Sequence, residues 1–379
     1  MYFTDEHELF RKTVRRFVQE ELTPNVARWE EDGLVPRQVF RRMGEMGFLG
    51  VEYPVEYGGS EADFWITVVL AEELARCGAG GVAFSIVVHT DMSSPWLARV
   101  GTPEQKARFL PAITSGEKVC ALAITEPGAG SDMASLATTA RRDGDHWVIN
   151  GSKTFITNGV YGDLYFVAAR SRDTGRKHQQ LSQIIVERGA SGLTVSKKLD
   201  KTGMRSSDTA ELHFDNVRVP AANLLGEEGR GFYQLAAGLQ RERLLSAVLS
   251  ISAARKAVED TVAYLKQRQA FGQPLAEFQA LRHRMADAAT LVEASRQVTY
   301  SAAAKYAAGH ECSMEVSMAK LFSTEAANRV AYETVQMHGG MGYMRETPIE
   351  RFARDYRLWT IAAGSSEMMR EIIAKKMFS

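Results

Sequence analysis

The hydrophobic period of this chain changes twice, and the order of the three stretches limits the folds open to it. Up to Glu117, apolar residues recur at three- and four-residue steps. From there to about Val219 they alternate or cluster in short β-branched runs, and from Gly231 the helical step returns. This order predicts an α+β multidomain protein: an N-terminal α-helical domain over 1–117, a middle antiparallel β-barrel over 118–225 and a C-terminal four-helix bundle over 226–379.

Helix signals mark the first part. Thr4-Asp5-Glu6-His7 opens a helix whose stripe is Leu9, Phe10, Val14, Phe17, Val18 and Leu22, with Pro24 set for a kink or a first turn. Val39–Met46 is a short second helix stopped by Gly47, and Tyr53–Gly59 reads as a loop. Trp65–Cys77 and Ala83–Val100 are strongly apolar helices, and Thr102-Pro103-Glu104 starts another. In the middle, strands are expected at Val119–Thr125, Trp147–Ile149, Leu164–Ala169, Gln183–Val186, Leu193–Lys197 and Ala210–Val217. Turn signals such as Arg142-Asp143-Gly144-Asp145 and Asn158-Gly159 separate them. Four long helices then follow, near 231–267, 275–308, 312–338 and 365–377.

Bulk composition excludes several function classes. Lys+Arg and Asp+Glu are both 46, so no net charge points to a nucleic acid or an anionic membrane. The three cysteines, Cys77, Cys120 and Cys312, are far apart and give neither a disulfide framework nor a metal spacing, which fits a reducing compartment. No run approaches the ~20 apolar residues of a membrane span. Met1 to Glu6 does not read as a signal peptide, and the expected location is cytoplasmic.

Five short strings stand out as places for chemistry. Thr125-Glu126-Pro127-Gly128-Ala129-Gly130-Ser131-Asp132 follows an apolar strand and offers backbone N–H groups and hydroxyls to a ligand, or is an ordinary tight loop. Phe155-Ile156-Thr157-Asn158-Gly159 ends a strand with an aromatic ring and a hydroxyl, suited to core packing or to a planar heteroaromatic ring. Arg268 to Gly272 closes the first bundle helix with a cation that its dipole favours in any case. Gln336 to Tyr343 holds three glycines and His338, too glycine-rich for a plain helix. The fifth, Gly238 to Ser246, carries Glu242 between Arg241 and Arg243. Neighbours on a helix point ~100° apart, so neither arginine needs to pair with Glu242, and the window alone reads as a solvated face of mixed charge.

Taken in order, and with Gly364-Ser365-Ser366-Glu367 added, these strings resemble the acyl-CoA dehydrogenase flavoproteins over essentially the whole chain. The resemblance implies non-covalent FAD, a homotetramer, an acyl-CoA substrate and an electron-transfer flavoprotein as acceptor. It assigns Leu122, Ile124, Thr125, Gly130 and Ser131 to the isoalloxazine and pyrophosphate, with Phe155 and Thr157 flanking the ring. Arg268, Phe271, Gln279, Gln336, Gly339 and Gly340 are assigned to the adenosine half, in part across a subunit interface, and Ser365 and Glu367 to the same cofactor. Ser131, Leu239, Arg243, Ala363 and Gly364 are the implied substrate contacts.

One departure decides which branch is resembled. Many members carry their catalytic carboxylate immediately before the glycine of Gly364-Ser365-Ser366, where this chain has Ala363, and alanine takes no proton. The isovaleryl-CoA and long-chain branches place the base on the first bundle helix, and Glu242-Arg243-Leu244 matches that arrangement. The implied chemistry is α,β-desaturation of an acyl thioester. Glu242 would take the α-proton and the β-hydrogen would leave as hydride to flavin N5, with the thioester carbonyl polarised in part by the base residue's own N–H. Ala362 and Ala363 leave room for branched, medium or long acyl groups. Two alternatives share the fold: a desaturase or oxidase of thioesters tethered to an acyl carrier protein, such as a prolyl-carrier protein, and a flavoprotein that is not a dehydrogenase.

Overall fold

One helix, α8 (Gly231–Gln267), packs against the N-terminal helices, the middle sheet and the other C-terminal helices. The structure is a computed structural model, and it describes residues 2–379. Before α8 come α1 (Asp5–Phe17), α2 (Val26–Asp32), α3 (Arg37–Glu45), α4 (Phe64–Leu74), α5 (Gly80–Val87), α6 (Pro95–Val100) and α7 (Pro103–Thr114). Their starts follow from side chains: Thr4 accepts from the His7 N–H, and the His7 ring returns the contact to the Thr4 N–H over 2.9 Å. Asp63 caps α4 through the Trp65 and Ile66 N–H groups and also holds His7 Nε2 at 3.0 Å, so one carboxylate joins two helices.

Two expected helices are interrupted. The chain widens to a π-turn at Val18–Leu22 and tightens at Thr23–Asn25, which makes the kink expected at Pro24. The helix expected over 83–100 is broken by a π-turn at Val88–Ser93. Pro95 has no N–H to continue the ladder, and the Ser93 and Ser94 hydroxyls bond back to the carbonyls of Val88 and His89.

The middle strands are β1 (Cys120–Ala123), β2 (Thr139–Asp143), β3 (His146–Thr157), β4 (Leu164–Arg170), β5 (Leu181–Glu187), β6 (Leu193–Lys198), β7 (Thr209–Pro220) and β8 (Leu224–Leu225). They form one sheet in the order β6-β7-β3-β2-β4-β5-β8, with β1 beside β4. This corrects the expected antiparallel barrel. The sheet is open, and β1 pairs with β4 in parallel, Cys120 opposite Leu164. The edges explain the openness: β6 is exposed along most of its length and carries Lys197 and Lys198, and β8 has two residues. β4 shows how the sheet is sandwiched. Tyr165 and Val167 face a core with Trp147, Ile184 and Phe214, whereas Leu164 and Phe166 face Trp96, Leu97 and Phe109 of α6 and α7.

After α8 come the short hairpin β9 (Gln269–Ala270) and β10 (Gln273–Pro274), α9 (Gln279–Ala307), α10 (Ser313–His338), α11 (Pro348–Tyr356) and α12 (Ser366–Phe378). α11 is additional to the four expected helices. Along α8, Glu242 to Ala254 is buried on every side, because Leu244, Leu245 and Val248 share one core with Val68 and Ile86 of the N-terminal helices and with Val316 and Ala319 of α10. A helix so enclosed needs no polar face, and this is why any charge within it is informative.

Candidate active site

Glu242 opens the enclosed stretch of α8 and is 6% exposed. The solvated-face reading of its window is thereby overturned. No hydrogen-bond donor among the described residues reaches its carboxylate; apart from the helix ladder, the one bond at this residue among the described residues is its main-chain carbonyl accepting from Ser246 Oγ at 2.7 Å. Burial pushes the carboxyl up to about 7, against the pull of the neighbouring Arg243 cation.

The two flanking arginines do different things. Arg241 turns away, donates to Glu52 Oε1 over 2.7 Å and to Asp91, and covers the Phe64 ring at 5.3 Å. It therefore ties α8 to the N-terminal helices. Arg243 is buried, and its Nε has no acceptor among the described residues. Its guanidinium stands against Gly364: a Cβ built there would lie 3.6 Å from Nε and 3.7 Å from Nη2. Ala363 and Gly364 are both left-handed, with φ of 53° and 93°, and among the described residues their N–H groups donate to no backbone carbonyl. One turn before Glu242, Gly238 admits the Trp96 indole, whose Nε1 would lie 2.6 Å from a Cβ at that position. Residues i and i+4 share a helix face, so Trp96 packs on the face of α8 that carries Glu242. Leu239 is half-buried on the same stretch.

A second cluster lies at the end of β1. Glu126 accepts from the Ala137 and Thr138 N–H groups at 2.6 and 2.9 Å, and Lys153 Nζ donates to Glu126 Oε1 and to the Ile124 carbonyl, each over 2.8 Å. This buried pair fixes the loop that carries Thr125, Gly130 and Ser131. Among the described residues nothing lies within 4 Å of a Cβ at Gly128 or Gly130, and Ser131 is exposed. Leu122 and Ile124 are half-buried beneath the loop. In β3 the register slips between Lys153 and Ile156, and Phe155 takes φ 60°. Such a bulge re-aims a side chain, and here it turns the Phe155 ring outward, 68% exposed, while Thr157 stays buried. A large bare ring beside an unobstructed glycine loop and a hydroxyl fits a planar heteroaromatic group.

The remaining assigned residues gather at the far end of the bundle. Arg268 follows the last residue of α8, Phe271 tips the hairpin at 95% exposure, Gln279 starts α9, Gln336 lies in the last turn of α10, and Gly339 and Gly340 follow it. Tyr264 stacks on His338 at 4.2 Å and joins the two helix ends. Arg268 is 26 residues beyond Glu242 in the numbering of α8, about 39 Å at 1.5 Å per residue. Ser365 and Glu367 open α12 beside the Gly364 turn, where Ser365 accepts from the Met368 N–H. A separate cavity of about 380 Å³ between α1, α4, α8 and α9 is lined by Arg11, Arg15, Glu72 and Glu73, whose charges pair with one another.

Sequence reasoning missed Lys153 and Lys320, both buried cations. Their signal was weak, because a lysine in a strand or a long helix ordinarily faces water.

The models of the acyl-CoA dehydrogenase N-terminal, middle and C-terminal domains match residues 4–117, 121–217 and 229–378. The chain belongs to the acyl-CoA dehydrogenase family. Members of this family of oxidoreductases are FAD-dependent. The mitochondrial long-chain specific acyl-CoA dehydrogenase of Mus musculus is 43% identical over 378 residues, covering 100% of this chain and 87% of that one. Among solved structures, acyl-CoA dehydrogenase from Geobacillus kaustophilus superposes with a TM-score of 0.97 at 44% identity, over 99% of each chain. The prolyl acyl carrier protein oxidase AnaB gives 0.92 at 31% identity, again over 99% of each.

Proposed function

We propose that this acyl-CoA dehydrogenase family member oxidises the α,β-bond of an acyl-CoA thioester and that Glu242 removes the α-proton. One observation carries the reading: the Glu242 carboxyl is buried without a partner and held to about 7, while Ala362 and Ala363 leave no base before Gly364. A base near the working pH is ionised often enough to act and basic enough to take a proton. FAD, when bound, supplies the hydride acceptor.

Around that step the chain's own residues bind and orient. Phe155 and Thr157 flank the cofactor ring, Leu122 and Ile124 lie behind it, and Thr125, Gly130 and Ser131 offer N–H and hydroxyl donors. Ser131 also faces the thioester arm. The expected donor for the thioester carbonyl needs revision. Glu242 sits inside α8, where its N–H is committed to the helix ladder, so the free N–H groups of the left-handed Ala363–Gly364 turn take that role. Trp96, Leu239 and Ala363 bound the acyl chain, which we read as branched, medium or long. Arg268, Phe271, Gln279, Gln336, Gly339 and Gly340 are too far along α8 to reach the cofactor beside this chain's own Glu242. They serve the cofactor of a second copy, consistent with a homotetramer. Ser365 and Glu367 complete the local cofactor contacts, and an electron-transfer flavoprotein is the proposed acceptor.

The likeness to a prolyl acyl carrier protein oxidase supports a second reading, in which the thioester is tethered to a carrier protein. Mixing FAD-loaded protein without oxygen with a series of acyl-CoA esters, and with the same acyl groups on a carrier protein, separates the two. Flavin reduction by CoA esters is expected. Reduction by carrier-bound esters alone would transfer the reading to the second, and reduction by neither would overturn both.

A further inference from the structure

Lys320, in the first third of α10, has no solvent exposure. Its ammonium donates to the carbonyl oxygen of Gly364, and no carboxylate among the described residues forms an ion pair with it. Burying a cation without a counter-charge is expensive, so the fold must place it there for what it holds. What it holds is the turn in which Ala363 and Gly364 are left-handed in succession. Beside Gly364 stands Arg243, whose buried Nε lacks an acceptor among the described residues. A freed Gly364 carbonyl would be the obvious acceptor for it.

We infer that Lys320 is a positioning residue for the base: by occupying the Gly364 carbonyl it leaves the Arg243 guanidinium unengaged, free to favour the ionised form of Glu242. The inference rests on the reading of Glu242 as the base. The electrostatics point the same way. Burial raises the Glu242 carboxyl and Arg243 opposes that rise. Burial, with Arg243 alongside, pushes Lys320 down to about 8, so it remains a cation at neutral pH. The other charged groups around these three are otherwise engaged or exposed. Arg241 is held by Glu52 and Asp91 from the N-terminal helices, and Glu325 on α10 pairs with Arg370 on α12. Glu367 at the start of α12 is exposed.

The test compares the pH dependence of kcat/KM for FAD-loaded wild type, Lys320→Met, Lys320→Gln and Glu242→Gln with one saturating series of acyl-CoA. In Lys320→Met the acid limb is expected to move up by about one pH unit, a roughly tenfold loss on that limb. Activity should recover toward wild type at alkaline pH, with KM little changed. A role confined to folding would lower activity at every pH and would not be rescued by alkali. An unmoved limb in Lys320→Met overturns the inference; Lys320→Gln, whose amide can still donate to the Gly364 carbonyl, should move the limb less, and where Lys320→Met does not hold FAD the Arg243→Gln result decides. Arg243→Gln must move the limb in the same direction, and the double variant must move it no further. If neither Lys320 variant holds FAD and Arg243→Gln leaves the limb in place, the link is likewise overturned. Glu242→Gln separates the two levels: a limb that survives it defeats the base assignment, whereas a limb abolished by it but untouched at Lys320 defeats only the positioning role.

Discussion

Lys153 Nζ lies 2.8 Å from Glu126 Oε1, with the lysine side chain fully shielded from water and the glutamate nearly so. The pair joins β3 to the loop after β1, and the same ammonium also holds the Ile124 carbonyl. Two strands that the topology separates are thereby locked at the place where the flavin is proposed to sit.

Lys153→Met should leave the Glu126 carboxylate buried and uncompensated, at about 3–5 kcal/mol of stability. The expected result is a lower unfolding temperature together with loss of FAD during gel filtration. Lys153→Met with Glu126→Gln should recover much of the stability, because neither charge is then stranded. Thermal unfolding of wild type, Lys153→Met, Glu126→Gln and the double variant measures both effects.

Phe155→Ala should separate cofactor binding from folding. The ring is 68% exposed in the chain, so its removal costs little core packing. If the ring flanks the flavin, FAD affinity should fall about tenfold, the order of magnitude of one aromatic contact. Fluorescence titration of apo-protein with FAD checks this, with the unfolding temperature of the apo-protein as the control.

Gly238→Ala tests the packing of Trp96 on α8. The added methyl meets Trp96 Nε1 at 2.6 Å, a distance that real contacts do not tolerate, and indole is a rigid neighbour. Overpacking of this kind costs about 1–3 kcal/mol. Because Trp96 packs one turn from the proposed base, on the same face of α8, the substitution should lower kcat/KM more for long acyl groups than for short ones. Steady-state kinetics across chain length reads the difference.

The pH dependence of stability carries a sign fixed by Glu242. Its folded carboxyl is raised to about 7 from 4.5, so between those values the folded protein keeps a proton that the unfolded chain has released. Stability from this group is full below pH 4.5 and is lost as pH rises toward 7. Glu242→Gln removes the penalty and should stabilise the apo-protein by up to about 3 kcal/mol above neutral pH, with no gain in acid. Denaturant unfolding at the two extremes of pH provides the comparison.

The fold was legible wherever period and punctuation agreed. The long helices α8, α9 and α10 stand where the 3.6-residue step placed them. β2 was missed because Arg141, Arg142 and Asp143 are polar and exposed, and the turn signal beside them masks a strand with one wet face. α11 was hidden between the glycines near 340 and the Ala363–Gly364 turn. The closed barrel failed because closure depends on pairing between edge strands, which no local pattern encodes. At the site, Glu242 read as surface from its own window, and only its match to a family arrangement pointed inward. The separation of Arg241 from Arg243 was foreseeable from helix geometry. Their destinations were not, since Glu52, Asp91 and Gly364 lie between 121 and 189 residues away in sequence.

The claim that Glu242 is the base is tested most directly by anaerobic titration of the FAD-loaded protein with acyl-CoA esters, following the flavin absorption band, in wild type and in Glu242→Gln. The account requires bleaching in wild type and none in Glu242→Gln, with FAD still bound. Bleaching that persists in Glu242→Gln would contradict it.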